Sequence, residues 1–390
     1  MPARPASPPQ CGFAQPVPSE REKAERPAIG QEENATATAM PSAAVADAAM
    51  PHVPVMLKAV VSLLQVRPGG VYVDGTFGAG GHARAILDTP DVRLVGIDRD
   101  PEAIARGREL AAAFSPRLFL WQGRFSQMEE ALSEAGVALG SVDGVVLDLG
   151  VSSMQLDQGG RGFSFLHDGP LDMRMDGEGP SAADVVNTAD EETLAAILRI
   201  YGEERRARAI ARAIVRRREK APITTTGELA AIVTGVLGPK RPGQAHPATR
   251  TFQALRIHVN RELEELAEGL AAAERVLKPG GRLVVVSFHS LEDRIVKRFF
   301  AQRSGRLVDP APRHLPVVPA VTPTFRDIAR GGLVPEAAEV AANPRARSAR
   351  LRAGERTAAP AMALDPQLLG VPRLAGLGRL RKGGRKGGRR

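Results

Sequence analysis

The stretch Val71-Tyr72-Val73-Asp74-Gly75-Thr76-Phe77-Gly78-Ala79-Gly80-Gly81-His82 decides the fold of this chain. A short apolar strand runs into a turn with four glycines, and helical spacing begins directly after it. Glycines in such a turn let a ligand approach the backbone, and the N-terminus of the following helix presents free N–H groups. Asp98 ends the next strand-like segment, 17 residues after Gly81. A carboxylate there can accept hydrogen bonds from both ribose hydroxyls of an adenosine-containing cofactor.

This pattern does not choose between cofactors. Gly78-x-Gly80-x-x-Ala83 also fits a dinucleotide fingerprint. NAD and S-adenosylmethionine need the same grip on the ribose, and the glycines could also serve only a tight turn. From these residues alone we expect a nucleoside-bearing cofactor and leave its identity open.

Strands and helices alternate outward from this turn. Strand-like segments are predicted at 71–74, 93–98, 118–121 and 144–148, with helical segments between them, and a fifth strand at 282–287. This alternation is typical of an α/β fold with a doubly wound parallel sheet. Between the fourth and fifth strands the spacing is helical, and it ends in one long amphipathic helix predicted over 252–277.

Composition divides the chain into four parts. We predict a disordered extension at 1–49, a sheet domain formed by 50–160 and 248–340, an inserted helical domain at 161–247, and a basic, largely disordered tail at 341–390. Residues 345–390 hold 13 Lys and Arg against 2 acids, a charge of +11, so the other 344 residues carry −2. Such a tail either contacts nucleic acid or is a solvated segment.

The whole chain excludes several classes of protein. None of its apolar runs is long enough for a membrane span and its start does not resemble a signal peptide, so we expect no membrane and a cytoplasmic location. The single cysteine, Cys11, cannot form an intramolecular disulfide or a cysteine-ligated iron–sulfur cluster. Group transfer should therefore be polar, and we predict no metal site.

Polar residues follow the fourth strand, in the segment from Asp148 to Gln155. Ligands in doubly wound sheets bind beyond the carboxyl ends of strands, where the strand order switches. Asp148, Ser152, Ser153 and Gln155 are therefore expected to face the glycine turn across the cofactor. A helix cap made by Asp or Ser is the alternative.

Three further segments carry open interpretations. His289 follows the fifth strand and is a candidate substrate contact, although Ser290 with Asp293 would also make a capping box. Segments 161–165 and 171–175 mix aromatic, methionine and charged residues, as in a pocket wall, an RNA-facing loop or a core-packed loop. An arginine-rich helix over 204–218 points its charges outward, toward RNA phosphates or toward solvent.

Eight blocks in order resemble one known family. They are DGTFGAGGH at 74–82, GIDRDPEAI at 96–104, DGVVLDLGVSSMQLD at 143–157, RGFSF at 161–165, LDMRMD at 171–176, YGEERRARAIARAI at 201–214, TRTFQALRIHVNREL at 249–263 and SFHSLEDRIVKRFF at 287–300. They closely resemble the bacterial MraW, or RsmH, methyltransferase family. The resemblance covers about 52–300 and extends more weakly to about 350.

The resemblance implies a class I, Rossmann-like methyltransferase that uses S-adenosylmethionine. The implied reaction is methylation of the exocyclic N4 of a cytidine in 16S ribosomal RNA of the small subunit, with the inserted helices recognising RNA. Its cofactor contacts fall on Gly80, Gly81, His82, Asp98, Phe125, Asp148 and Gln155, and the catalytic candidates are Asp148, Ser152 and Ser153. Many enzymes that methylate exocyclic amines carry Pro-Pro-aromatic after strand four, whereas DLGVSS stands here.

Other functions fit parts of the sequence. The acceptor could be a protein or DNA, the glycine turn allows an NAD-dependent dehydrogenase, and a non-catalytic RNA-binding assembly factor could keep the fold. Protection by adenosylhomocysteine, by NADH or by neither ligand distinguishes these classes. The sequence does not determine whether the protein forms an oligomer.

Overall fold

The computed structural model describes residues 54–240, 243–306 and 322–374. Its strands are β1 (Val71–Asp74), β2 (Arg93–Asp98), β3 (Leu118–Gln122), β4 (Val142–Asp148), β5 (Leu277–Ser287), β6 (Phe325–Asp327) and β7 (Arg350–Arg356). Its helices are α1 (Leu57–Leu64), α2 (Gly81–Leu87), α3 (Pro101–Ala113), α4 (Met128–Glu134), α5 (Ser153–Asp157), α6 (Ala182–Thr188), α7 (Glu191–Tyr201), α8 (Ala207–Arg218), α9 (Thr226–Leu237), α10 (Thr249–Asn260), α11 (Glu262–Val276), α12 (Ser290–Arg303) and α13 (Ala337–Ala342). The extension predicted at 1–49 lies outside the described residues. Within the described ranges, no helix combines the length and apolar character that a membrane span requires.

The seven strands form one sheet in the order β3-β2-β1-β4-β5-β7-β6. The first five strands are parallel, and β7 pairs antiparallel with both β5 and β6. Continuous apolar runs such as Val145-Val146-Leu147 are buried on both faces because helices cover the sheet on each side. The predicted α/β doubly wound fold is confirmed. Its strand order reverses between β1 and β4, which places the expected ligand crevice at their carboxyl ends.

The inserted helices α6 to α9 do not bury a core of their own. Their apolar residues, such as Leu198 and Ile210, join one cluster with Val145 and Leu283 of the sheet. Between β4 and β5 the described residues form helices and loops, with one isolated bridge between Pro170 and Thr225. The insertion therefore extends one face of the sheet.

The boundary predicted at 340 is wrong, because the sheet continues through the segment assigned to a disordered tail. β7 pairs with β5 over six residues and contributes buried Leu351 and Ala353. The arginines in this strand interrupt its apolar pattern, so the sequence does not predict burial. In the structure, Arg352 forms a bidentate pair with Asp293 at 2.7 and 3.1 Å. Paired arginines can lie inside a fold along their apolar stems. The tail from 375 to 390 lies outside the described residues.

The single helix predicted over 252–277 is wrong as well. The helix is interrupted at Arg261, which adopts a left-handed conformation at φ 52° between α10 and α11. Asn260 fixes the break: its Nδ2 donates to the Met173 carbonyl at 2.7 Å, and its Oδ1 accepts from the Met175 amide at 2.9 Å. Both methionines are buried, so the segment 171–175 is a core-packed loop.

Candidate functional site

The carboxyl ends of β1 and β4 bring Asp74 and Asp148 to the same edge of the sheet. The amide of Asp148 donates to Thr76 Oγ1 at 2.7 Å, which ties the end of β4 to the glycine turn. Asp148 Oδ2 lies 3.8 Å from His82 Nδ1, on the first turn of α2. The sequence predicted that Asp148 and the glycine turn face each other, and the structure places them side by side.

These three side chains keep unpartnered polar atoms. Asp74 Oδ2, Asp148 Oδ1 and His82 Nε2 are buried and have no hydrogen-bond partner among the described residues. Burial raises the pKa of Asp74 to about 7 and lowers the pKa of His82 to about 4, so the imidazole is neutral. Burial, followed by the charges of Asp74 and Glu292, raises the pKa of Asp148 well above its ordinary value. A cluster of this kind is costly without a ligand that partners it.

Asp98 occupies the position expected for a ribose ligand. Its Oδ2 accepts from the Gly78 amide at 2.7 Å and its Oδ1 from the Asp100 amide at 2.9 Å. Burial raises its pKa to about 6, against these two bonds, which lower it. Each carboxylate oxygen retains a lone pair, so both oxygens can still accept a hydroxyl.

Phe125 lies beside the end of the sheet in a short 3-10 helix, Phe125–Gln127. Its ring packs on α11 at Gly269, where a Cβ would stand 2.2 Å from Phe125 Cδ2. The next residue is anchored, because Glu265 accepts from the Ser126 amide at 2.9 Å and from its hydroxyl at 3.1 Å. The ring is partly exposed, so it offers an apolar surface on which an adenine can pack.

Gly80 and Gly81 serve the turn as well as the site. Gly80 has φ 76° and caps α2, a conformation that L side chains rarely adopt. A Cβ on Gly81 would stand 2.2 Å from Pro54 Cγ. Backbone conformation at Gly80 and packing at Gly81 therefore account for glycine at these two positions without a ligand.

Ser152 and Gln155 cap α5 by a reciprocal pair of hydrogen bonds. Ser152 Oγ accepts from the Gln155 amide at 3.2 Å, and Gln155 Oε1 accepts from the Ser152 amide at 3.0 Å. Gln155 Nε2 donates to Asp100 Oδ2 at 2.7 Å, so its side-chain amide is engaged at both ends. Ser153 is the first residue of α5. The capping interpretation therefore holds for Ser152, whose hydroxyl hydrogen remains available to a ligand.

His289 is the N-cap of α12, in place of the predicted box between Ser290 and Asp293. His289 Nδ1 accepts from the Glu292 amide at 3.4 Å, and Nε2 lies 3.0 Å from Glu292 Oε1. Glu262, His289 and Glu292 also have ligand atoms within 4.8 Å of one another. Arg256 already pairs with Glu262 at 2.8 and 2.7 Å, so a cation of the protein itself neutralises this acidic group.

Sequence reasoning gave no role to Asp74 or Thr76, and it considered Glu292 only together with His289, as an acid–base pair. Asp74 could have been noticed, because it ends the strand that enters the glycine turn. Thr76 lies in that turn, but its bond to the amide of Asp148 depends on strand pairing that no local pattern reveals. The Coulombic effect of Glu292 on Asp148 likewise depends on the neighbouring ends of β4 and β5.

The residues present fit S-adenosylmethionine. Asp98 can accept the ribose hydroxyls, Phe125 offers a surface for adenine, and α2 presents its first amides. The unpartnered oxygens of Asp74 and Asp148 are acceptors that a cationic ligand would satisfy. A ligand with these groups would therefore pair the buried polar atoms that have no partner among the described residues.

Comparison with known proteins also indicates a methyltransferase. The model of the MraW methylase family matches residues 49–357. A protein of Parvibaculum lavamentivorans named ribosomal RNA small subunit methyltransferase H is 60% identical over 85% of this chain and 97% of its own. Its namesake from Rhodopseudomonas palustris is 59% identical over 83% and 96%. The solved structure of an rRNA methylase from Streptococcus thermophilus aligns over 77% of this chain and 95% of its own at 9% identity, with a TM-score of 0.32 that is too low to add to the assignment. The chain belongs to the MraW methylase family and is an S-adenosylmethionine-dependent methyltransferase.

Proposed function

We propose that this chain methylates the exocyclic N4 of a cytidine in 16S ribosomal RNA, within the small ribosomal subunit of the cytoplasm. The observation that carries the proposal is the unpartnered Oδ1 of Asp148, an acceptor beside the glycine turn. The names of the relatives supply the class of substrate, ribosomal RNA of the small subunit.

Bound S-adenosylmethionine supplies an electrophilic methyl group on a sulfonium. The work of the protein is then to hold the attacking amine in line with that methyl at contact distance. Asp148 ends β4 and its backbone is fixed by Thr76, so its carboxylate occupies a defined position. We assign Asp148 to accept a hydrogen bond from the N4–H of the target, which orients the amine and increases its nucleophilic character.

Ser152 and Ser153 follow Asp148 at the start of α5 and remain catalytic candidates. The Ser152 hydroxyl uses a lone pair for the cap and can donate its hydrogen to a base. Cytosine N3 and O2 are acceptors, so a donor here would complement the acceptor at Asp148. Asp148 and Ser152, both at the carboxyl end of β4, then provide one acceptor and one donor for the Watson–Crick edge of an unpaired base.

The target base must leave its stack to reach this edge, so the substrate is single-stranded or opened RNA. The inserted helices α6 to α9 lie between β4 and β5 in the chain and pack on the same sheet. We assign them to RNA recognition.

The test incubates the protein with radiolabelled S-adenosylmethionine and small subunits from cells that lack the enzyme. Digestion of the RNA to nucleosides should place the label in N4-methylcytidine. Subunits from cells that contain the enzyme are the matched control and should take up little label. Label in another nucleoside would overturn the assignment of N4, and label in ribosomal protein would overturn the assignment of RNA.

A further inference from the structure

A cavity of about 350 Å³ lies at the corner between α7 and α8. It is lined by Ala195, Arg199, Arg205, Arg206, Ala207, Arg208 and Ala209. The alanines leave room at the corner, and the arginines surround it with positive charge. Its volume is at the lower end of the range of about 300–1,000 Å³ typical of ligand sites.

Four arginines line the cavity, and their charged groups are available to a ligand. Arg199, Arg205, Arg206 and Arg208 are exposed, and within the described part of the chain none of their guanidinium groups has a hydrogen bond or ion pair. Three of the four α8 arginines further along have partners within the protein. Arg212 pairs with Glu191 at 3.3 Å and Arg217 with Glu228 at 2.9 Å.

Arg218 also has protein partners, because it donates to the carbonyls of Val186 and Ala189 at 2.7 and 2.6 Å. The predicted basic helix is therefore divided. Its first turn and the preceding loop offer free cations, whereas most of its last turn is used to hold the inserted helices together.

The loop that carries Arg205 and Arg206 is anchored to the catalytic edge of the sheet. Glu203 accepts from the Ser290 hydroxyl at 2.7 Å and from Arg294 at 3.0 Å, both on α12. α12 begins directly after His289, at the carboxyl end of β5, and β5 pairs with β4 up to Asp148. The cavity is thus connected, through one loop and one helix, to the edge where the methyl group is transferred.

We propose that this cavity binds backbone phosphates of the RNA substrate and so positions the strand whose base enters the site. The inference rests on the proposed function, which supplies RNA as the substrate. Guanidinium groups bind phosphate oxygens in a planar, paired geometry, and four of them around one recess can hold a phosphate from several sides. Contacts of this type fix the position of the strand without reading its sequence.

The test measures binding of a mixed-sequence oligoribonucleotide across a range of salt concentrations. The variant R205Q/R206Q/R208Q removes three cavity charges, and R212Q/R216Q/R217Q removes three charges of the same helix outside the cavity. Each lost phosphate contact lowers the slope of log affinity against log salt by about 0.7–0.9. We expect the cavity variant to lose roughly 2 in slope and about a hundredfold in affinity near 0.1 M salt, and the control to lose little.

Arg199 gives a sharper criterion, because it lies on α7 and a basic stripe along α8 would not include it. R199Q should weaken RNA binding and should couple to R206Q in a double-mutant cycle. On small subunits, the cavity variants should raise KM and leave kcat near its original value. Adenosylhomocysteine binding and thermal unfolding should stay unchanged, which shows that the fold is intact.

Equal losses in the cavity and control variants would overturn the proposal in favour of a diffuse basic surface. Unchanged RNA affinity with reduced activity on subunits would assign the cavity to a ribosomal protein, and would overturn it too. These binding measurements do not depend on which nucleoside is methylated. A wild type that methylates no ribosomal RNA would contradict the proposed function while the comparison of variants still decides the role of the cavity.

Discussion

Asp148 is the residue on which the proposed chemistry depends most. Its buried Oδ1 has no hydrogen-bond partner in the part of the chain that the structure describes, and its amide is held by Thr76, so the carboxylate is positioned before the substrate arrives. We expect Asp148→Ala to lower kcat by about a hundredfold or more at saturating cofactor, since it removes the acceptor that orients the amine. Single-turnover methylation of small subunits measures this.

The control for Asp148→Ala is stability. Removing a carboxyl whose buried Oδ1 has no hydrogen-bond partner among the described residues should leave the free energy of unfolding equal or higher, so lost turnover cannot be attributed to unfolding. Near-normal turnover in this variant would mean that Asp148 does not act on the amine.

Asp98 should make cofactor binding depend on pH. The ionised carboxylate accepts the ribose hydroxyls, and burial raises its pKa to about 6. Below that value Asp98 is protonated, so adenosylhomocysteine affinity should fall by about tenfold per pH unit as the pH decreases. Calorimetric titration between pH 5 and pH 8 checks this. Asp98→Asn should bind weakly and lose this part of the pH dependence; an unaltered profile in the variant would assign the titration to another group.

At the scale of elements, β7 decides where the folded chain ends. A chain that stops at residue 340 lacks β7, so β5 loses its antiparallel partner and Leu351 and Ala353 leave the core. We expect this truncation to be insoluble or unfolded, whereas a chain that stops at residue 374 should match the full-length protein in thermal unfolding. Where neither truncation can be purified, Leu351→Ala should cost about 2–4 kcal/mol. A stable chain of 340 residues would restore the boundary that the sequence predicts.

Local patterns predict some of these elements well and others poorly. β1, β2 and β4 are short apolar runs between turns, and their burial on both faces makes that signal strong. β7 was missed because two of its arginines, Arg352 and Arg356, are buried through partners far away in the sequence, Asp293 among them. The break at Arg261 was missed because α10 and α11 present apolar faces to the same core, so the helical period continues across it.

The candidate site divides in the same way. Asp98, Asp148 and the glycine turn were predictable, because each follows a strand in a fold that gathers ligands at strand ends. The cluster of Asp74, His82 and Asp148 was not, since it needs β1 and β4 to be neighbours although 67 residues, 75–141, lie between the two strands in the chain. The sequence also could not separate the arginines with protein partners from those that are free.

At the scale of the molecule, the sheet gathers three acids at one edge. Asp74, Asp98 and Asp148 all lie at carboxyl ends of strands, and burial raises the pKa of each. The fold therefore keeps these carboxyl groups less ionised than they are in the unfolded chain. A cationic ligand favours their ionised form, so cofactor binding and protein stability are linked through the same groups.

This linkage predicts how stability depends on pH. Asp74 has a pKa of about 7 when folded and an ordinary value of 3.8, so its contribution is fully present below about pH 4 and is lost as the pH rises through 7. The stability of the ligand-free wild type relative to Asp74→Asn should therefore fall by roughly 4 kcal/mol at most between pH 4 and pH 8. Urea unfolding measures it.

S-adenosylmethionine should restore more stability at pH 8 than adenosylhomocysteine does, because only the former carries the sulfonium charge that favours ionised Asp74 and Asp148. Equal stabilisation by the two ligands at pH 8 would show that the buried acids do not face the sulfonium.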